Sequence, residues 1–409
     1  VSLRRTRRLF FALLGGTALV ATGAFWWQLP GLSGSHGIAP AAEYVARVRG
    51  SGEVGFFDAP TLAWWWASDA ALQVLCAACV GASLLLVFNR ALRPALLVLW
   101  ACWLSLVQVC HPWLDFQWDL LLLEAVFCAF WFAPGGWWRP REEVEPARAA
   151  RFLMAWLACK VTLESGLVKL LGGDPSWRDL TALTYHWWTQ PLPTWSSHLL
   201  NALPQWVQAA LCAAMFVLEL PVPLLALGPR RARLVAAAGL MLLQLALLGA
   251  GNYSYYNLLA LVLAVPLLDD AVFWRAVPGV TLQLPSLRFR RLVTAVAALS
   301  VLVSVALFTR RWGVEPPAWV EAALERLAAF DTVNTYGAFA HMTKTRPEVL
   351  LEGTRDGVTW QRYELPYKPG ALDRRPGFIS PWQPRLDWQL WFAALGGCRA
   401  NRWVLALQR

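Results

Sequence analysis

The chain has 409 residues, 57% of them apolar and 15% charged, where soluble domains carry about 25% charge. That balance excludes an ordinary cytosolic enzyme, a disordered chain and a disulfide-rich secreted module. The net charge of +10 is gathered in short Arg clusters between apolar runs, which points to membrane orientation and away from a nucleic-acid partner. Nearly all the basic residues are Arg, and Ala and Leu are abundant, which suggests a GC-rich bacterial genome.

A bilayer-spanning helix needs about 20 mainly apolar residues. Leu9–Trp27, preceded by Arg4, Arg5, Arg7 and Arg8, reads as an uncleaved anchor, because no small-residue cleavage site follows it. Further spans are expected over Ala70–Phe88, Ala95–Trp113, Leu120–Trp138, Phe152–Leu171, Trp206–Leu227, Leu234–Ala250, Tyr255–Trp274 and Leu292–Phe308. Gly249, Gly251 and Asn252 break the pair Leu234–Ala250 and Tyr255–Trp274 into a hairpin. Trp and Tyr at many of these ends fit an interfacial aromatic belt.

With the N-terminus in the cytoplasm and nine alternating spans, the inner segments hold 17 basic residues. These are Arg4, Arg5, Arg7 and Arg8, then Arg90 and Arg93, then Arg139, Arg141, Arg148 and Arg151, then Arg230, Arg231 and Arg233, then Arg275, Arg288, Arg290 and Arg291. The outer loops before the last span hold only Arg47, Arg49 and Arg178. This asymmetry follows the positive-inside rule, with Arg310 and Arg311 as the exception.

Residues 312–409 carry 12 basic and 10 acidic side chains, an ordinary soluble density. They read as a small extracytoplasmic domain of α+β or β-rich character. Pro317–Phe330 has helical apolar spacing, Val349–Glu352 and Val358–Leu365 flank an Asp356-Gly357 hairpin signal, and Trp388–Leu395 reads as a helix. The fold class is therefore a polytopic α-helical membrane protein of about nine transmembrane helices, 1–311, with an extramembrane domain over 312–409.

An ionisable group within a span is costly and so a functional candidate. Glu124, Lys160, Glu164, Lys169 and Glu219 meet that description. Lys160 and Glu164 are four apart on one helical face and can pair, which would simply neutralise them. Lys169 lies about 140° around the helix from Glu164, near the outer surface, where it can snorkel. Glu124 and Glu219 need partners from other helices. The loop Gly172–Trp206 is dense in polar and aromatic residues, with Asp174, Ser176, Trp177, Arg178, Asp179, Thr184, Tyr185, His186 and Gln190. Asp174 and Asp179 flank Arg178 and would compensate it. His186 has a side chain suited to acid–base work, while the same loop can equally be packed across the bundle mouth with Asp and Ser as helix caps. Cys76 and Cys79 have redox spacing but lie within a span without basic neighbours, so packing is the simpler role. No metal-ligand spacing, phosphate loop, nucleophile elbow or dinucleotide fingerprint occurs, so no cofactor or metal is expected.

The stretch Glu164–His186, followed by Thr189–Pro193, resembles the lipase maturation factor family. So do Trp118–Glu124, Gly251–Asn257, Asp269 with Asp270, Arg346–Gly353, Asp356–Trp360, Tyr367–Gly370 and Gln383–Gln389. The resemblance spans nearly the whole chain. It implies a polytopic membrane protein that helps secreted lipases reach their active form in the endoplasmic reticulum, with the tail as the client-binding surface. For a bacterial chain the corresponding place is the inner membrane. Family members continue beyond the position of Arg409, so the tail domain is expected to be incomplete. A fainter likeness links Gly166-Leu-Val-Lys169-Leu170 to the membrane domain of vitamin K-dependent γ-carboxylases, where such a lysine is the base. The leading expectation is a non-enzymatic maturation factor with an exported client. The alternative is a membrane enzyme using Lys169 with His186 and Asp174.

Overall fold

The computed structural model describes residues 2–138, 140–141, 143–274, 283–371 and 373–407, the side chains of 398 and 399 excepted. Arg139, Arg275 and Arg409 lie outside the described residues. In chain order the helices are α1 (Arg4–Leu32), α2 (Ala41–Ser51), α3 (Asp69–Val87), α4 (Leu92–Val109), α5 (Gln117–Phe132) and α6 (Arg148–Leu171). Three short helices follow, α7 (Pro175–Arg178), α8 (Leu183–Thr189) and α9 (Trp195–Asn201). Then come α10 (Gln205–Glu219), α11 (Pro221–Leu224), α12 (Arg230–Ala250), α13 (Tyr256–Ala264), α14 (Asp270–Phe273) and α15 (Leu287–Arg310). The tail holds α16 (Ala318–Ala328), strands β1 (Leu351–Thr354) and β2 (Trp360–Tyr363), α17 (Arg385–Ala400) and α18 (Trp403–Ala406).

Among the described residues six helices are long and apolar enough to cross a membrane: α1, α3, α4, α10 with its continuation to Leu227, α12 and α15. The other three expected spans fall on elements that are shorter or more polar. α5 has 16 residues, and α6 has 24 but carries Lys160, Glu164 and Lys169. The stretch expected as one span over Tyr255–Trp274 is divided, because α13 passes into a 3-10 turn at Val265–Leu267 containing Pro266, which has no N–H to extend the helix. Residues 251–255 separate α12 from α13 as the glycines suggested, and the two helices pack on each other.

One end of the bundle is tied by polar contacts near the Arg clusters. Asp270 accepts from both the Thr6 amide (2.8 Å) and its hydroxyl (2.9 Å). Arg230 donates twice to Asp269, at 2.6 and 3.0 Å. Asn89 Nδ2 donates to the Arg8 carbonyl.

The tail occupies the other end. Its helix α16 packs on α15 through Leu324, Val333 and Val303, and Arg310 pairs with Glu321 at 2.5 Å. The expected hairpin forms with Leu351 opposite Tyr363 and Thr354 opposite Trp360. Asp356 accepts from the Thr359 and Val358 amides and the Thr354 hydroxyl, while Gly357 adopts φ +74°, a conformation glycine takes without steric cost. The Trp388–Leu395 helix is the middle of α17. Packing continues across the expected boundary at 311 among the described residues. Tyr336, Trp388, Leu390, Trp403 and Val404 belong to the same buried cluster as the cores of α1 and α3–α6.

Candidate functional site

Glu124 of α5 and Lys160 and Glu164 of α6 meet one irregular segment of the tail, Asp331–Arg346. This strap turns at Asp331 (φ +49°), Gly337 (φ +135°) and Phe339 (φ +57°). Gly337 lies so close to α6 that a Cβ there would sit 2.6 Å from Val168 Cγ2, so both the space and the dihedral require glycine.

The strap's backbone is held by side-chain oxygens of the bundle. Glu124 accepts from the Asn334 amide at 2.9 Å and from the Tyr336 hydroxyl at 2.6 Å. Glu164 accepts from the Tyr336 amide at 2.7 Å, Gln117 from Gly337 at 3.2 Å, and Asp174 from Met342 at 2.6 Å. Lys160 Nζ donates to Glu124 (2.5 Å), to the Asn334 carbonyl (2.9 Å) and to Ser304 (3.4 Å). The expected intrahelical pair of Lys160 with Glu164 is therefore replaced. Lys160 reaches across to α5, and Glu164, one turn further along α6, is engaged by the strap.

Lys169 does not snorkel. It is 6% exposed and donates to both oxygens of Glu219, at 2.8 and 2.9 Å, and to the Ser165 carbonyl at 3.0 Å. The approach of α10 depends on Gly166, where a Cβ would lie 2.9 Å from Glu219 Cβ and 2.8 Å from Leu220 Cδ2. Small residues at a helix crossing let backbones approach in this way. The three contacts of this amine are all with groups of α6 and α10 that lock the two helices together.

The Gly172–Trp206 loop packs over the same end of the bundle. Asp174 caps α7 by accepting from the Ser176 amide and hydroxyl, at 2.9 and 2.7 Å. Burial raises its pKa, but the bonds from Met342 and Ser176 outweigh that and hold the carboxyl below its usual range. Arg178 is not compensated by Asp174 as expected, since that carboxylate is turned inward; Arg178 is exposed and donates to the Leu170 carbonyl at 3.2 Å. Asp179 is exposed. Trp177 is buried, its indole N–H bonded to the Phe339 carbonyl at 2.9 Å and its ring 5.5 Å from Lys169 Nζ. Lys344 of the strap lies 5.5 Å over the Tyr185 ring.

His186 is fully enclosed, with the Phe339 ring edge-on at 4.8 Å. Tyr253 donates its hydroxyl proton to Gln190 Oε1 at 2.8 Å, so its oxygen accepts from His186 Nε2–H at 2.7 Å. That assignment leaves Nδ1 as a bare acceptor, buried with no hydrogen-bond partner among the described residues. Burial, followed by the Lys169 charge, lowers the His186 pKa to about 4, so the ring is neutral near pH 7. The Gln190 Nε2 amide lies within hydrogen-bond distance of the Trp187 carbonyl, the Ser197 hydroxyl and the Ala250 carbonyl, which share its two protons. No hydrogen bond joins Lys169, His186 and Asp174 to one another among the described residues. Each is committed to a different part of the scaffold, and no group of residues suited to a metal ion occurs among the described residues.

Two junctions escaped the residue-by-residue reading. Arg385 of α17 makes a bidentate pair with Asp119 of α5 at 2.8 and 2.9 Å and donates to the Trp113 carbonyl at 2.5 Å, with both partners wholly buried. Arg346 donates to the carbonyls of Trp188, Gln190 and Pro191. Gln383 also joins tail to bundle, accepting from Trp118 and Ser254.

Comparison with known proteins finds matches to both parts of the chain. Residues 5–275 match the lipase maturation factor transmembrane domain and residues 332–409 the lipase maturation factor C-terminal domain. Lipase maturation factor 2 of Gallus gallus is 33% identical, over 98% of this chain and 71% of the relative. Lipase maturation factor 2 of Homo sapiens is 32% identical over 99% and 74%, and lipase maturation factor 1 of Homo sapiens is 31% identical over 98% and 76%. These relatives are vertebrate proteins and lend no support to the bacterial source suggested by composition. No solved structure matches the chain. The chain belongs to the lipase maturation factor family.

Proposed function

We propose that the protein is a membrane-embedded maturation factor that brings exported lipases to their active form. Residues 1–311 form the bundle, crossing the membrane nine times from a cytoplasmic N-terminus, and residues 312–409 face the exported client. Membership of the lipase maturation factor family supports the client class. The observation that carries the mechanism is the seating of the tail. Its backbone is bound to Glu124, Glu164 and Asp174, and its Arg385 to Asp119. A surface held by so many buried bonds is preorganised, so little ordering cost is incurred when a client docks.

A base at Lys169 finds no support, because the relatives matched are lipase maturation factors. The membrane is that of the endoplasmic reticulum in a eukaryotic cell or the inner membrane in a bacterium.

The test is restoration of lipase activity. A secreted lipase is expressed in cells that lack their own maturation factor, with and without this protein. The expected result is a several-fold rise in lipase activity per lipase molecule when the protein is present. An unchanged specific activity, with the protein folded in the membrane, would sink the reading.

A further inference from the structure

The segment between α2 and α3 is unusual for an extramembrane loop. Residues 53–68 contain two ionisable side chains, Glu53 and Asp58, against Phe56, Phe57, Trp64, Trp65 and Trp66. Phe57 is 69% exposed and Trp65 71%. The rings form a standing cluster, with Phe56 5.7 Å from Phe57 and 5.5 Å from Trp65.

Its depth is fixed by hydrogen bonds. Thr61 donates its hydroxyl to the Ser105 carbonyl at 3.1 Å, and Ser105 Oγ accepts from the Leu62 amide at 3.0 Å. Ser105 lies four residues before the end of α4 at Val109, about 6 Å along the helix axis. The loop therefore descends from the tail-side end and lies beside the last turn of a membrane-crossing helix. Its chain then enters α3, another membrane-crossing helix, whose Val74 is also exposed. Exposed apolar side chains also mark these two helices, Val74, Leu84 and Leu85 on α3 and Leu97 and Val98 on α4.

The backbone is prepared for that setting. Gly55 carbonyl accepts from both the Asp58 and Ala59 amides, and Leu62 carbonyl from Trp65. The Asp58 carboxylate turns back to accept from the Gly55 amide at 2.8 Å. The Trp64 indole donates to the Ala59 carbonyl at 2.7 Å. Lipid-exposed irregular backbone is excluded from the hydrocarbon core, which confines the loop's backbone to the headgroup boundary, where amphipathic Trp rings are enriched.

We propose that residues 53–66 are a membrane-inserted aromatic loop, with Phe57, Trp65 and Trp66 embedded in the lipid leaflet on the tail side of the bundle. The occupant of this exposed patch is the acyl and headgroup boundary of phospholipid. The loop holds α2 and the tail-side surface close to the bilayer, which is independent of what client that surface receives.

The test uses the full chain in phosphatidylcholine vesicles with no other protein. Single cysteines replace Phe57 or Trp65 in a Cys398→Ser background, because the other seven cysteines are buried. Each is spin-labelled, and collisions with apolar oxygen and with a water-soluble nickel chelate are compared. Gly50→Cys on exposed α2 serves as the aqueous reference and Val74→Cys as the lipid reference. The expected oxygen-to-nickel ratio at 57 and 65 is several-fold above that at 50 and close to that at 74. A ratio like that at position 50 would overturn the proposal. Shielding from both reagents would also overturn it, because a second copy of the chain would then cover the loop.

Discussion

Removing the Lys160 ammonium is the sharpest test of how the buried charges are organised. Lys160→Met leaves the Glu124 carboxylate buried with the Asn334 amide and Tyr336 hydroxyl but no countercharge. Breaking one partner of a buried ion pair costs about 3–5 kcal/mol. Glu124→Gln keeps an acceptor for the strap but strands the Lys160 ammonium, and the loss is of similar order. In the double variant both charges are gone, and what remains is chiefly the lost donor to the Asn334 carbonyl, about 1 kcal/mol. The double-mutant cycle should therefore show coupling of at least about 2 kcal/mol. The parallel cycle of Lys160→Met with Glu164→Gln should couple far less, since Glu164 is bonded to the Tyr336 amide. Denaturant unfolding in detergent micelles can be followed with a thiol-reactive dye, because seven cysteines are free and buried. Equal or larger coupling between Lys160 and Glu164 would refute the assignment of partners.

Lys169→Met should destabilise the protein by several kcal/mol by leaving Glu219 unpaired, while Lys169→Met with Glu219→Gln together should be milder in the same unfolding assay. Gly166→Val should cost about 1–3 kcal/mol, because the added carbons meet Glu219 and Leu220; wild-type stability would show that α6 and α10 are not in contact there. His186 has its pKa lowered to about 4 by burial and the Lys169 charge, against about 6.5 in an unfolded chain. The unfolded state then binds the extra proton between those values, so the His186 contribution is complete above about pH 6.5 and is lost as pH falls to about 4, on the order of 3 kcal/mol in all. Asp331 works in the opposite sense, since burial raises it to about 7, so the readout is the difference between wild type and His186→Gln, in which Asp331 cancels. A His186→Gln profile parallel to wild type across this range would contradict the burial of that ring. For topology, cysteines placed at Gly357 and at Arg231 should be labelled from opposite sides of the membrane, and labelling from one side would remove the nine-crossing arrangement.

The apolar runs made the membrane helices legible because a bilayer imposes length and composition directly. α6 shows where that signal weakens: Lys160, Glu164 and Lys169 lower its apolarity, yet each of the three meets a partner distant in sequence. Spacing alone offered Lys160 only Glu164, because a periodic pattern reports one helix and not its neighbours. The hairpin at Asp356-Gly357 was legible for a local reason, namely a turn that dictates its own residue types. Asp119 and Arg385 stand 266 positions apart, and no pattern within either segment joins them. Both do lie in stretches that resemble the family, Trp118–Glu124 and Gln383–Gln389, so the family likeness marked the two halves of a junction that only the structure unites. The strap was not legible, because irregular backbone carries no period.

The strap also explains why ionisable residues sit so deep in the bundle. Where the strap is buried, at Asp331, Val333, Asn334, Tyr336 and Met342, its backbone is turned from water, and every amide left unbonded there costs free energy. Packing of apolar surface alone would not choose one register for such a segment, since lipid and protein interior are similarly apolar. Glu124, Glu164, Gln117 and Asp174 each take one strap amide, at positions 334, 336, 337 and 342. Sliding the strap by one residue would strand these donors and acceptors together, so the polar side chains define a single seating. Lys160 and Lys169 then balance the carboxylates that surround the seat, one of which serves the strap and the other the α6–α10 crossing. Glu124, Lys160 and Glu164, which singled out this site in the sequence, are accordingly fittings by which the bundle holds its tail, while Lys169 and Glu219 fasten α10 to α6.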